Sequence, residues 1–467
     1  MKRISSQEDT IAAIATPLGE GGIGIVRLSG PEALAIAERF FEPKQKTKTR
    51  DQKNFTVRYG HVVARNGKGA KKVDEALLTV MRGPKSYTGQ DVVEISVHGG
   101  AAVLREVMRL AAEAGARPAE PGEFTKRAFL SGRMDLLQAE AVLDLIQAKS
   151  AQALRWASSQ LEGAFSHKIK KIRTSLVEVL SHLEADVDFP DDFPETASLQ
   201  VIEKQMAAAQ TDIEGLLEGA RLGFLAKRGL QVTIWGRPNV GKSSLLNQLA
   251  QNSRVIVTPY PGTTRDVVEE EIAVEGFPVR LQDTAGVQET GNPIEKEGVE
   301  RSRKAMQAAD LVLFVLDSSQ GLHPEDKHLY EECREKAMIV VLNKCDLPAK
   351  TAPQELRELG MTMPVVLCSC VEEKGVERLR REIGSFITQG HADMTDETMV
   401  STVRQRDLLR ATAENLGRAR EACAKRLSSE FIASDVRHAL ERLGMLVGEV
   451  VTDDILEAIF SKFCIGK

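Results

Sequence analysis

The residues best equipped for chemistry form one octapeptide, Gly236-Arg237-Pro238-Asn239-Val240-Gly241-Lys242-Ser243. Gly, four residues, then Gly-Lys-Ser is the spacing of a loop that wraps a phosphate chain. The glycines let successive backbone N–H groups turn toward phosphate oxygens, Lys242 reaches the β- and γ-phosphates, and the Ser243 hydroxyl is a ligand for Mg²⁺. An apolar run over 230–235 precedes the loop and reads as a buried strand. Residues 244–249 follow and read as a helix, whose N-terminal end favours an anion. Strand, loop and helix together are the setting this chemistry requires. A ligand-free glycine turn with the same pattern is expected by chance on the order of once in fifty chains of this length. Asn239, Val240, Gly241, Lys242, Ser243 and Ser244 are therefore the candidates to line a nucleotide.

Three stretches further on turn a nucleotide site into a guanine site. Asp283-Thr284-Ala285-Gly286 closes a predicted strand over 279–282. Asp283 is placed to reach Mg²⁺ through water, and the Gly286 N–H to reach a γ-phosphate. Asn343-Lys344-Cys345-Asp346 closes the apolar run 338–342. The Asp346 carboxylate can accept from guanine N1–H and from its exocyclic amine. Adenine offers no such donor pair, so the ligand is GTP rather than ATP, with the Lys344 stem covering the base. Cys368-Ser369-Cys370 follows a run over 364–367 and stands where translational-type GTPases carry a Ser-Ala base contact. Ser369 keeps that contact and Cys370 replaces the alanine. Ligands of open α/β sheets sit at such strand ends.

Hydrolysis needs more than binding. Ras-like enzymes place a water-positioning Gln directly after Asp-x-x-Gly. Here Val287 stands there, and Gln288, one place on, reads as an exposed switch residue. Thr263 and Thr264, in Gly262-Thr263-Thr264-Arg265-Asp266, look like the effector loop, with Thr264 as second Mg²⁺ ligand. Arg265 is followed by Asp266 and pairs locally in this reading. Asn239 offers a neutral oxygen. With backbone carbonyls around Thr258 and Tyr260 it either binds a monovalent cation or serves as an ordinary turn residue. Glu295, in Pro293-Ile294-Glu295, is either a helix-start acid or a group acting on the attacking water.

The 467 residues leave room for two to four domains. No run of eighteen apolar residues exists, so no transmembrane helix is expected, and the N-terminal residues lack a signal-peptide core. With 62 Lys and Arg against 67 Asp and Glu, the net charge is −5. An autonomous RNA binder would be basic; if this chain acts on RNA, a partner or a local patch must supply phosphate contacts. The six cysteines form no CxxC pair and suit a reducing cytoplasm.

Residues 1–120 read as a compact α+β module, with strands on either side of a glycine loop at 16–22 and a helix over 31–41. From Phe124 the period is helical only. Residues 150–186 read as one long helix, Pro190 and Pro194 break it, and 199–226 read as another. A GTPase module spans 228–388. Helices return over 389–467, with Ser434 or Asp435 as an N-cap. The helical pieces 121–227 and 389–467 are each too thin for a large core, which argues for one helical domain interrupted by an inserted GTPase domain.

These features coincide in one family. The chain resembles the MnmE (TrmE) family of tRNA-modification GTPases over essentially its full length. The resemblance is carried by Asp9-Thr10-Ile11, Ala15-Thr16-Pro17, Gly21 to Arg27, Ser86 to Asp91, Pro121 to Leu130, Asp135 to Ala141, the GTPase motifs and the terminal Phe463-Cys464-Ile465-Gly466-Lys467. It implies a multidomain fold: an α+β N-terminal folate-binding domain, an all-α helical domain and an inserted Ras-like α/β P-loop GTPase domain. It implies a homodimer through the N-terminal module, which binds a tetrahydrofolate derivative (5-formyl- or methylene-tetrahydrofolate), and a partner, the FAD-dependent flavoprotein MnmG (GidA). Together they install an aminomethyl-type group on C5 of the wobble uridine of certain tRNAs. GTP hydrolysis stimulated by K⁺ follows from the same resemblance, with Asn239, Thr258, Tyr260 and Thr263 at the potassium positions and Glu295 at the catalytic acid. Arg27 and Glu94 match folate contacts. Arg133 stands where the family usually has Lys, keeping the charge and changing the geometry. Cys464 and Lys467 are brought near the folate. The competing reading is a regulatory or assembly GTPase acting on ribosomal RNA or a protein, without one-carbon chemistry; the N-terminal module and the Cys464 tail speak against it, because a pure switch needs neither.

Overall fold

The structure, a computed structural model, describes residues 9–44, 48–66, 69–188, 195–251, 269–283, 293–358, 360–388 and 398–467. Contacts divide the chain into two compact units. One comprises Met1–Leu143, Ser166–Lys170 and Leu440–Lys467; the other comprises Asp144–Phe165 and Lys171–Ala439.

The first unit is built on a seven-stranded sheet. In chain order its elements are β1 (Ile11–Ile14), β2 (Gly21–Ser29), α1 (Ala33–Phe40), β3 (Phe41–Pro43), β4 (Thr56–Asn66), β5 (Gly69–Met81), β6 (Val92–Gly99), α2 (Ala101–Glu113) and β7 (Arg117–Pro118). The strand order is β3-β4-β5-β6-β2-β1-β7, antiparallel except between β1 and β7. Alternation decides the faces. Val26 and Leu28 of β2, Leu78 and Val80 of β5, and Val93, Ile95 and Val97 of β6 turn onto one core with α1 and α2. That puts Arg27 and Glu94 on the opposite face, where the register makes them direct partners. α3 (Glu123–Leu130) and the start of α4 (Leu136–Gln147) complete this part. Arg127, fully buried on α3, is neutralised by Asp9 at 2.6 Å and Glu123 at 2.9 Å. Burial works to raise the Asp9 carboxyl, but hydrogen bonds from Arg117 and Arg127 hold it below its ordinary value.

In the second unit the expected helix over 150–186 is two helices, α5 (Ala151–Glu162) and α6 (Ala164–Asp188), with α6 also lending residues to the first unit. Gly163 caps α5 at φ +99°, a left-handed conformation that ends a helix cheaply only at glycine. The next expected helix likewise divides at Gly219 into α7 (Glu195–Glu218) and α8 (Ala220–Arg228). Then come β8 (Leu230–Trp235), α9 (Lys242–Gln251), β9 (Glu269–Val274), β10 (Phe277–Asp283), α10 (Pro293–Ala308), β11 (Leu311–Asp317), α11 (Pro324–Cys333), β12 (Met338–Asn343), α12 (Pro353–Glu358), β13 (Val365–Leu367) and α13 (Val376–Thr388). The sheet order is β13-β12-β11-β8-β10-β9, parallel but for the edge strand β9. β11 and β12 are buried at every position, as strands covered on both faces must be.

Helices from both sides of this sheet in sequence pack together. α14 (Val403–Ala424) lies along α7, and Arg420 Nη1 donates to Gln210 Oε1 at 3.0 Å. The nucleotide-binding sheet is thus inserted into a helical domain. Thr402 caps α14, its side chain accepting from Gln405 N. Ser434 and Asp435, expected as N-caps, lie inside α15 (Ser429–Val447) instead; Asp435 accepts from Arg418. α15 leads back to the first unit, where α16 (Asp453–Phe460) packs on α3.

Candidate functional site

Five parallel strands, β8, β10, β11, β12 and β13, end where the loops begin, and the second unit's site is built on those ends. β8 runs into the Gly236–Ser243 loop and α9 starts at Lys242. Gly241 takes φ +97°, and a Cβ there would collide with Asn343 Nδ2. Asn343, the first residue of the guanine motif, donates to the Val240 carbonyl at 2.8 Å, which ties the two motifs together. Asn239 sits at φ +63°, uncommon for a residue with a side chain. Lys242 is buried, and its Nζ donates to the carbonyls of Gly236 at 3.0 Å and Arg237 at 2.8 Å. Burial pulls its pKa down to about 8 against the raising charge of Asp283. Ser243 Oγ donates to Asp283 Oδ2 at 2.7 Å, while the buried Asp283 Oδ1 has no hydrogen-bond partner among the described residues. A hydroxyl and an unsatisfied carboxylate oxygen side by side fit Mg²⁺, a hard cation bound through oxygen.

The base side is equally joined. Asp346 Oδ1 accepts from Ser369 Oγ at 2.6 Å, so Ser369 steadies the carboxylate that would read guanine. Cys370 Sγ donates to Asn343 Oδ1 at 3.5 Å, a use for the thiol that replaces alanine. Sequence reasoning missed Asp317. This residue ends β11, buried, and pairs with Lys344 Nζ at 2.7 Å; the same ammonium donates to the Asn239 carbonyl at 2.8 Å. Burial would raise the Asp317 carboxyl, but Lys344 and Ser319 hold it below the ordinary range. One lysine thereby braces the loop between β12 and the phosphate loop. The available signal was an acid closing a wholly apolar strand. Arg237, also unassigned by spacing, pairs with buried Asp326 at 2.7 Å, anchoring the phosphate loop to the first turn of α11.

Ser244 lies in the first turn of α9. Thr258, Tyr260, Thr263, Thr264, Thr284, Ala285 and Gly286, like Val287 and Gln288, lie outside the described residues. Glu295 is the third residue of α10.

In the first unit the C-terminal tail comes onto the sheet face that bears Arg27. Arg27 donates to Glu94 at 2.8 Å and to the Gly466 carbonyl at 3.1 Å, residues 439 positions apart in the latter pair. Its guanidinium lies 5.7 Å from the ring centres of both Tyr87 and Phe124. Gly466 adopts φ +97° with its Cα pressed toward the Ile14 carbonyl, where a Cβ would come within 2.5 Å. Burial pulls the Lys467 ammonium below its ordinary value, Arg27 adds to this, and Glu94 and Cys464 oppose it. Arg27, Glu94 and Lys467 are thus together. Arg133 instead donates to the Ser86 carbonyl at 3.2 Å, beside Tyr87, and Cys464 is exposed. A guanidinium against two aromatic rings, with a carboxylate beside it, suits a flat, polar heterocycle bearing an anionic tail.

Two family models match the chain: the GTP-binding protein TrmE N-terminus over residues 10–133 and the MnmE helical domain over 136–464, a span that encloses the nucleotide-binding sheet. The tRNA modification GTPase MnmE of Bacillus pumilus (strain SAFR-032) is 42% identical over 460 residues, covering 98% of this chain and 100% of its own length. That of Symbiobacterium thermophilum is 46% identical over 461 residues, covering 98% and 100%. The solved G domain of the T. maritima FeoB iron transporter covers 34% of this chain and 98% of its own, at 30% identity and a TM-score of 0.27.

Proposed function

The chain belongs to the MnmE (TrmE) family of tRNA modification GTPases, and on that premise we propose that it is a potassium-stimulated GTPase that modifies C5 of the wobble uridine of certain tRNAs. Working with a flavoprotein of the MnmG (GidA) kind, it installs a carboxymethylaminomethyl-type group whose first carbon comes from a tetrahydrofolate derivative. The observation that carries this reading beyond a plain switch is Arg27 bound at once to Glu94 and to the Gly466 carbonyl of the tail.

On the nucleotide side, Lys242 binds the β- and γ-phosphates, Asp346 and Ser369 read guanine, and Ser243 and Thr264 would hold Mg²⁺ with Asp283 behind them. Asn239, Thr258, Tyr260 and Thr263 would hold K⁺. Such a donor set, made of neutral oxygens, suits a large monovalent ion. When bound, that ion supplies positive charge at the β–γ bridge, where other GTPases use an arginine finger. Glu295 aligns the attacking water. On the folate side Arg27, Glu94, Arg133 and Lys467 orient the heterocycle and its glutamate tail, with Cys464 beside them; the bound carrier supplies a one-carbon unit. Homodimerisation through the N-terminal module is supported by Phe55, Val57, Tyr59 and Leu77, large apolar side chains exposed near or on β4 and β5, with Tyr59 and Leu77 paired in register. Among the described residues no helix is long and apolar enough to cross a membrane, and the reading places the work in the cytoplasm with tRNA.

The test is tetrahydrofolate binding measured by calorimetry on the full-length protein. The wild type should bind, and Glu94→Ala should abolish both binding and wobble-uridine modification while GTP hydrolysis stays near normal. Wild-type protein that binds no folate would return the chain to the class of regulatory GTPases, and a variant that loses GTP hydrolysis together with modification would make Glu94 a structural residue.

A further inference from the structure

The second unit holds a cavity of about 670 Å³ that neither the nucleotide nor the folate reading uses. Its walls come from the end of α7, α8, the start of β8, the residue before β11, α13 and the start of α14. Three guanidiniums line it. Arg221 lies 5.2 Å from the centre of the Phe386 ring and donates to the Phe386 carbonyl at 3.3 Å. Arg406 lies 5.7 Å from the centre of Phe224, and its Nε and Nη2 both donate to Asp407 Oδ1, at 3.0 and 2.8 Å. Arg228 pairs with Asp310 at 2.6 Å. Among the described residues Asp310 is the one carboxylate in the lining, and its second oxygen is already taken by the Gln231 N–H. Arg410, one turn beyond Arg406 on the same face of α14, extends the cationic edge outward.

Guanidiniums stacked on aromatic rings are planar forks whose geometry matches phosphate oxygens, which can exchange for an exposed carboxylate or carbonyl partner, and the rings offer flat apolar surface. Stacking plus phosphate contact is how proteins take single-stranded nucleic acid, and the volume falls within the range of small-ligand sites. A chain of net charge −5 must make its phosphate contacts through local patches of this kind. We propose that this cavity seats an unpaired nucleotide of an RNA, its base against Phe224 or Phe386 and its phosphate on Arg221 and Arg406. The proposal rests on the tRNA reading above and adds a place of contact to it.

Photocrosslinking decides the matter. Full-length protein is mixed with a tRNA transcript carrying 4-thiouridine at unpaired positions, and cross-linked peptides are mapped. They should come from α8, α13 or the first turn of α14. Arg221→Glu and Arg406→Glu should each lower the yield about tenfold, the scale of one charge-assisted contact. Val403→Trp should do the same by filling the cavity without altering charge, starting from an exposed side chain in the lining. GTP hydrolysis by each variant reports that the fold survives. Undiminished yield in all three variants, peptides mapping elsewhere, or absence of cross-links to the wild type overturns the proposal. So does uridine monophosphate that suppresses cross-linking as well as the tRNA does, because the site would then serve a free nucleotide. Yield lowered by the variants, beside a normal wobble uridine in a strain lacking the gene, would sink the tRNA-modification reading alone; variants that fail to lower the yield, beside lost modification in that strain, would sink the cavity alone.

Discussion

Raising the pH from 7 to 9 should weaken GTP binding about tenfold through one side chain, Lys242. The ammonium is buried beneath the phosphate loop, and that burial brings its pKa down to about 8. Phosphate oxygens need the charged form and, once in place, raise its pKa again. Affinity therefore falls by the factor 1 + 10^(pH − 8), roughly 1.1 at pH 7 and roughly 11 at pH 9, a difference of about 1.4 kcal/mol. Stability of the free protein moves the other way. A lysine whose folded pKa is depressed binds fewer protons than in the unfolded chain between about pH 8 and pH 10.4, so unfolding becomes harder as the pH rises through that window. Titration with a fluorescent GTP analogue at constant ionic strength, alongside thermal melts, reads both trends. The guanine N1–H also ionises in alkali, so Lys242→Arg is the control: an arginine stays charged, and whatever pH dependence remains in it belongs to the base. Equal affinity at pH 7 and pH 9 in the wild type, or an identical slope in Lys242→Arg, would refute the argument.

Asp346→Asn should weaken GTP binding by about 1.5–3 kcal/mol and improve binding of xanthosine triphosphate, since the acceptor pair facing guanine is lost; unchanged GTP affinity by calorimetry would remove Asp346 from base recognition. GTP turnover should be much faster in potassium than in sodium at equal ionic strength, and Asn239→Ala should flatten that difference. Equal wild-type rates in the two salts would make Asn239 a turn residue held by the Lys344 contact to its carbonyl.

The nucleotide site was legible wherever its chemistry is written in consecutive residues. A phosphate loop is a local object: Gly241 must turn left-handed, Lys242 must open a helix, and the strand before them must be apolar, so eight residues and their flanks suffice. The inserted order of the domains was legible for a similar reason, since helical period gives way to alternating apolar runs and then returns. Helix ends inside long periodic stretches were not. Gly163 and Gly219 each sit in an otherwise helical pattern, where an interior glycine costs only about 1 kcal/mol, and whether it ends the helix is set by what the helix packs on. Ser434 misled as an N-cap because the few tenths of a kcal/mol that a serine costs inside a helix are overridden when tertiary packing holds the helix. Contacts between distant positions belong to the tertiary structure alone. No spacing announces that Asp317 grips Lys344, or that Lys344 grips Asn239; those pairs exist because parallel strands bring their C-terminal ends to one edge. Arg27 and Glu94 face one another because antiparallel register opposes them, and Gly466 reaches Arg27 because α16 packs on α3 and leads the last residues back over the sheet. Sequence by itself named the groups proposed to act on phosphate and guanine; folding decided which charges stand beside them, because electrostatic contact depends on distances of a few ångströms that the chain meets only after it has closed on itself.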